Sequence, residues 1–193
     1  MNLKKKELIE VSIATFTDTV DRIIFSLEIA DLVNRNVIKP EHFGKKKLFS
    51  KGSVVGSVDR TRNPEGLKKI SDDIQFSSSS YAIIVCSEIY FGITSIDVGE
   101  QDNYELYSAR QILRIIRNAV AHIRAVTCKF AKPTYKIRKE YRNKVYKVEK
   151  IGLTLDTHNL HGTVFDFKQL GGMIKFIELL EYLKEDLQKK LLA

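Results

Sequence analysis

Cysteine, proline and glycine are all scarce in this chain. Its 193 residues hold two cysteines, three prolines and ten glycines, too few thiols for a disulfide framework and too little Pro and Gly for a collagenous or low-complexity chain. Cys86 and Cys128 form no Cys-x-x-Cys and lie in apolar helical patterns, as buried thiols in a reducing compartment do. No uninterrupted apolar run reaches the roughly 18 residues of a membrane span. The start, Met1-Asn2-Leu3-Lys4-Lys5-Lys6-Glu7, is basic but lacks the apolar stretch of a signal peptide. A Gly-Ser-Val-Val-Gly-Ser run begins at Gly52, but no Gly-Lys-Ser/Thr follows to supply the lysine and hydroxyl of a phosphate loop. These absences predict a cytoplasmic protein with no membrane segment, no metal and no cofactor.

What is present is a globular composition, 44% hydrophobic and 29% charged, with length enough for a core burying about two-thirds or more of the unfolded surface. One domain over residues 1–193 is expected. The net charge of +8 is local: residues 101–150 hold 13 Lys and Arg against 4 Asp and Glu, a net of +9, and the remainder carries −1. A field of one sign concentrated in one segment attracts polyanions, whereas a solvated face usually mixes both signs.

Apolar residues at helical spacing predict a helix from Leu3 to about Val33, either continuous or broken near Thr15-Phe16-Thr17. Residues 37–66 lose the period and gather Gly, Pro and Lys, which predicts a loop holding a short hairpin within Leu48–Val58. The serines Ser77–Ser80 predict the start of a helix over about 79–96. A third helix is expected over 103–130, stopped by Lys132-Pro133. Val145–Leu155 alternates as a strand, Asp156–Gly162 turns, and Thr163–Phe165 returns beside it, so a β-hairpin insertion is placed at about 134–166. A last helix covers about Gln169–Leu192, with Asp166 and Gln169 as its capping box. The fold class is thus mainly α, a helical bundle with a small antiparallel hairpin between the last two helices.

The third helix carries the chemistry. At about 100° per residue, Ile112, Ile115, Ile116, Ala119, Val120, Ile123 and Val126 share a core face, Arg110, Arg114, Arg117 and Arg124 lie opposite, and Asn118 and His122 run along the border. Ala121 and Ala125 fall amid the polar face. Small residues one turn apart admit a second backbone, so they are the expected homodimer interface, with a twofold copy closing one basic cleft. Beyond this helix, Tyr135, Tyr141 and Tyr146 alternate with Lys136, Arg138, Lys139, Arg142 and Lys144, a pattern of stacking rings and phosphate-binding cations that suits single-stranded RNA.

Arg117-Asn118-Ala119-Val120-Ala121-His122, preceded by Ile115-Ile116, resembles the R-x4-6-H motif of the HEPN superfamily. The later segments Leu155-Asp156-Thr157, Leu160-His161-Gly162 and Gly171-Gly172 resemble the C-terminal parts of HEPN proteins of toxin or defence type. The resemblance covers the second half of the chain. It implies a HEPN-like up-and-down bundle acting as a dimeric, metal-independent endoribonuclease that leaves 2′,3′-cyclic phosphate ends, in a toxin–antitoxin or phage-defence setting with an antitoxin or defence partner. It also implies a role for each motif residue: Arg117 binds the scissile phosphate, His122 transfers a proton, and Asn118 orients one of them. Arg114, Arg124, Lys136, Arg138, Lys139 and Arg142 are then the expected RNA-binding residues. Some toxin members extend the motif to His-x-Tyr; here Arg124 stands at that position.

The chemistry suits these residue types. When a 2′-OH attacks the adjacent phosphorus, an imidazole can take or give the proton and a guanidinium can meet charge growing on the non-bridging oxygens. The rival reading is a nucleic-acid-binding or protein-interaction module of the same fold that breaks no bond. Two weaker sites complete the candidates. Asp156, His158 and His161 flank a polar turn but fit no zinc spacing. Glu88, in an otherwise apolar stretch, is positioned to hold a basic residue as a partly buried ion pair.

Overall fold

The computed structural model describes residues 3–43, 49–50, 53–54, 63–94, 99–121, 125–126, 129–130 and 133–192. Among them the chain is mainly helical, with α1 at Leu3–Asn34, α2 at Pro64–Ile93, α3 at Tyr104–Ala121 and α4 at Met173–Leu192. Three two-stranded antiparallel ladders join β1 (Phe49–Ser50) to β2 (Ser53–Val54), β3 (Ala125–Val126) to β4 (Lys129–Phe130), and β5 (Val145–Val148) to β6 (Leu153–Asp156). The chain forms two compact units, one of Met1–Val20 with Ala82–Ala193 and one of Asp21–Tyr81.

α1 is a single helix through Thr15-Phe16-Thr17. The threonine hydroxyls donate to the Val11 and Ile13 carbonyls at 2.8 and 3.1 Å, so the helix accommodates both β-branched residues. Its buried positions recur every seven residues in two rows, Ile9, Phe16, Ile23, Ala30 and Ser12, Thr19, Ser26, Val33. Seven residues are close to two turns, so both rows stay on one side. The small polar row is satisfied locally, by bonds from Ser12, Thr19 and Ser26 to the carbonyls of Leu8, Thr15 and Ile23.

α2 begins fifteen residues earlier than the serine run suggests. Asn63 caps it, its Oδ1 accepting the Gly66 N–H at 2.6 Å, and Pro64 supplies the first helical residue, where a missing N–H costs nothing. The serines lie mid-helix instead, Ser79 donating to the Gln75 carbonyl at 2.8 Å: a hydroxyl that bonds back one turn serves the interior as readily as the cap. The serines also hide the helix from a count of uninterrupted apolar residues. By length and composition α2 could cross a membrane, with a mean hydropathy of 1.2 over 18 residues, 33% of that window being buried. Its last turns instead carry Tyr90, whose hydroxyl donates to Asp186 at 2.7 Å, and the buried Cys86, whose thiol burial pushes up to about 12 against a weaker hydrogen bond with Thr19.

α3 starts at the Asn103 cap, whose Oδ1 accepts the Leu106 N–H at 3.0 Å, and ends at Ala121 rather than near residue 130. Beyond it Ala125 pairs with Phe130 across a β-ladder. α3 is covered on more than one side, by β5 and by α4. Arg110, expected on the outer face, is 2% exposed, because the end of α2 also lies against this helix. Its guanidinium donates to the Thr94 carbonyl at 3.0 Å and lies 5.4 and 5.5 Å from the ring centres of Tyr90 and Phe91. Aromatic faces and a carbonyl replace the water it has lost.

The long alternating segment is itself the hairpin. Val145–Val148 turns back at Gly152, at φ +59 a left-handed position that favours glycine, and pairs with Leu153–Asp156 in the register Val145 to Asp156. Tyr146, Val148, Leu153 and Leu155 point inward. Thr163–Phe165 returns not beside this hairpin but beside Pro133–Tyr135, through Tyr135 N–H to the Thr163 carbonyl and Phe165 N–H to the Pro133 carbonyl, at 2.9 and 2.8 Å. The Asp166–Gln169 capping box forms, but it caps a 3-10 turn at Phe167–Leu170, and α4 opens after the left-handed Gly171.

Burial holds the hydroxyls of Tyr90, Tyr135 and Tyr146 above the usual tyrosine range, helped next by Asp186, Asp166 and Tyr107 respectively. The fold thus favours the neutral phenol. This stabilisation is complete below the unfolded pKa of about 10 and is lost as pH rises above it. Urea unfolding should show stability falling from about pH 10 upward, and ultraviolet titration should find these three of the eight tyrosines ionising only as the protein unfolds.

Candidate functional site

A cleft of about 460 Å³ opens within the larger unit, lined by Ser87, Glu88 and Phe91 of α2, Arg114, Arg117 and Asn118 of α3, and Arg138 and Tyr141 from the segment that follows β4. Positions 114, 117 and 118 share one side of α3 because they are three and four residues apart. The third wall is held from beneath. Tyr135 and Ile137 are buried while Lys136 and Arg138 face out, an extended alternation that places every second residue at the surface, and Lys139, at the start of the next turn, is exposed too. Tyr141 ends a 3-10 turn whose position is fixed by Thr157, 1% exposed. The Thr157 hydroxyl lies 2.9 Å from the Tyr141 carbonyl and 2.8 Å from the Lys144 carbonyl, and accepts the Lys144 N–H at 2.9 Å.

Each guanidinium in the cleft has a defined setting. Arg114 donates to Gln111 Oε1 at 3.3 Å and to the Tyr141 hydroxyl at 3.2 Å, and stands 4.9 Å from the Phe91 ring centre. Arg117 donates through Nε to Glu88 Oε1 at 3.1 Å, through Nη2 to the same oxygen, and through Nη1 to Asn118 Oδ1 at 3.5 Å. With side chains 37% and 59% exposed, the Arg117–Glu88 pair adds little to stability; what it does is fix the direction of the guanidinium. Arg138 is exposed and lies 4.0 Å from Glu140. Arg117 thus uses the Asn118 carbonyl oxygen, and Asn118 itself lines the cleft.

The structure brings together Arg114, Arg117, Asn118 and Arg138 of the expected site, with Glu88 as the partner of Arg117. His122 and Arg124 lie outside the described residues. Ala121 is exposed at the last turn of α3, and Ala125 belongs to β3, so the two do not form the one-turn helical pair on which the homodimer contact was built. Arg142 faces inward rather than toward a ligand: its Nε donates to the Ile137 carbonyl at 2.8 Å and its Nη2 lies 2.9 Å from His161 Nε2, while His161 Nδ1 accepts the Ile137 N–H at 3.0 Å. Of the three tyrosines expected to stack on RNA, Tyr135 and Tyr146 are core residues and Tyr141 alone reaches the cleft.

Asp156 pairs with His158 at 2.6 Å and accepts its N–H; these bonds lower the carboxyl pKa, the backbone bond most. Among the described residues no three His, Cys, Asp or Glu side chains gather as a metal cage. Phe91 and Thr157 escaped the sequence reading. Phe91 is one apolar residue in an apolar run, and Thr157 acts through a backbone it meets only after the hairpin folds. The chain matches no known family, no curated protein and no solved structure.

Arg142→Ala removes a charged donor from a half-buried carbonyl, which should cost about 1.5–3 kcal/mol. Lys136→Ala and Lys139→Ala, both exposed, should stay within about 0.5 kcal/mol of the parent. Denaturant unfolding of the three variants checks this ordering.

Proposed function

We propose that this protein is a metal-independent endoribonuclease acting by attack of a ribose 2′-OH on the neighbouring phosphorus. The observation that carries the reading is the gathering of Arg114, Arg117, Arg138 and Asn118 in one cleft beside the end of α3, which reaches Ala121 one residue before His122. Arg117, aimed by Glu88, binds the non-bridging oxygens of the scissile phosphate. Asn118 adds an amide donor to the same group, and Arg114 and Arg138 attract the flanking phosphates. His122 is the proton-transfer group: an imidazole titrates near neutral pH, so it can take the proton from the 2′-OH or return one to the departing 5′-oxygen.

This division of labour agrees with the HEPN resemblance of Arg117-Asn118-Ala119-Val120-Ala121-His122, and a toxin or defence setting follows from that resemblance alone. So does assembly with a second copy, which the separation of Ala121 from Ala125 leaves without a helix face to carry it. The +9 segment supplies the long-range attraction for RNA whether or not a bond is broken.

Purified protein incubated with single-stranded RNA in EDTA should yield fragments ending in 2′,3′-cyclic phosphate. His122→Ala and Arg117→Ala should each slow cleavage by about a hundredfold or more. Binding should survive the histidine change better, because only the arginine is fully charged at neutral pH. Salt-sensitive RNA binding without cleavage in the parent protein would instead make this chain a nucleic-acid-binding module.

A further inference from the structure

A carboxylate in a cleft meant for phosphate is costly, because like charges repel. Glu88 is nevertheless the one acid among the described residues that line this cleft, and only half of it is explained by Arg117. Both Arg117 bonds to Glu88 fall on Oε1, and Oε2 has no hydrogen-bond partner among the described residues. The cleft lining also holds the guanidinium groups of Arg114, Arg117 and Arg138 and the Asn118 side-chain amide. The Ser87 hydroxyl is turned away, bonded to the Ile84 carbonyl at 2.9 Å.

A nucleic-acid backbone meets such a lining with acceptors everywhere except at one atom. Phosphate, ester and ring oxygens accept, and the 2′-OH of ribose is the only donor along the strand that is independent of base identity. It also stands next to the 3′-phosphate, as Oε2 stands next to the guanidinium that would hold that phosphate. We infer that Glu88 Oε2 accepts the 2′-OH of the nucleotide whose phosphate Arg117 binds, and so gives the cleft its preference for RNA over DNA. This rests on the reading of the cleft as an RNA site. Glu88 has two roles in it, positioning Arg117 through one oxygen and selecting the sugar through the other.

The test compares binding of three short single-stranded oligonucleotides of one sequence, with ribose, 2′-deoxyribose and 2′-O-methylribose, to the full chain carrying His122→Ala so that cleavage does not consume the probe. The ribose strand should bind about tenfold or more tightly than either of the others, as a bond to a charged acceptor allows. The 2′-O-methyl strand should behave as DNA, since it can accept but not donate. Glu88→Ala should bring the three affinities together, chiefly by weakening the ribose strand, and Glu88→Gln, which keeps a shorter-range amide acceptor, should retain part of the preference. If Glu88 serves Arg117 only, Glu88→Ala will weaken all three strands in parallel and leave their ratio unchanged, and the inference falls. Equal affinities in the parent background also overturn it while leaving the endoribonuclease reading intact. Failure to bind any strand removes both. Glu88 is exposed, so each variant should keep the parent melting temperature, which shows that lost selectivity is not lost fold.

Discussion

A helix covered on several sides must still house the arginines its sequence carries. α3 has Arg110, Arg114 and Arg117 on successive turns, and each is a donor-only cation that cannot shed its charge. The surrounding elements answer with acceptors and ring faces graded by depth. Arg110, fully enclosed, receives the Thr94 carbonyl and two rings. Arg114, half-buried, receives Gln111, the Tyr141 hydroxyl and Phe91. Arg117, at the edge, receives the Glu88 carboxylate. α2, the residue just after it, α3 itself and the segment carrying Tyr141 supply these partners between them.

The same gradient separates structure from chemistry. Deep in the unit a guanidinium with its partners is a packing element, and its removal disturbs the fold. At the rim the same group is held by a weak, exposed ion pair that aims it without committing it. A ligand phosphate can therefore compete for Arg117 at little cost, and Glu88 keeps a second oxygen for a further contact. The cleft is polar and made by three separate stretches of chain.

The supporting wall works by a different principle. Tyr135 and Tyr146 look in sequence like the interleaved aromatics of an RNA surface, yet burial claims both, with Ile137 beside them. What remains exposed, Lys136, Arg138 and Lys139, comes from extended backbone that turns every second residue outward as far as Arg138 and from the 3-10 turn that starts at Lys139, and Arg142 closes the segment on the Ile137 carbonyl and His161. Thr157, a single hydroxyl on the far side of the hairpin, fixes the Tyr141 and Lys144 backbone. The basic stretch is thus part scaffold and part surface.

Periodicity and composition determined the mainly helical class, a first helix to about Val33 though not whether it breaks at Thr15-Phe16-Thr17, the capping box at Asp166 though not the 3-10 turn it caps, a hairpin before the last helix and the concentration of positive charge. These depend on neighbours in sequence, where turn geometry and apolar spacing act directly. The motif Arg117-Asn118, and Glu88 as the partner of a base, were legible for the same reason: a side chain's direction on a helix is set by its number. Tertiary structure decided where serines sit mid-helix instead of capping, where Thr163–Phe165 finds its partner, and that Arg110 is interior while Arg117 is not. A helical wheel supplies one direction for the core, whereas α3 is covered by both β5 and α4. How many faces of a helix are buried depends on elements distant in sequence, and no local pattern encodes it.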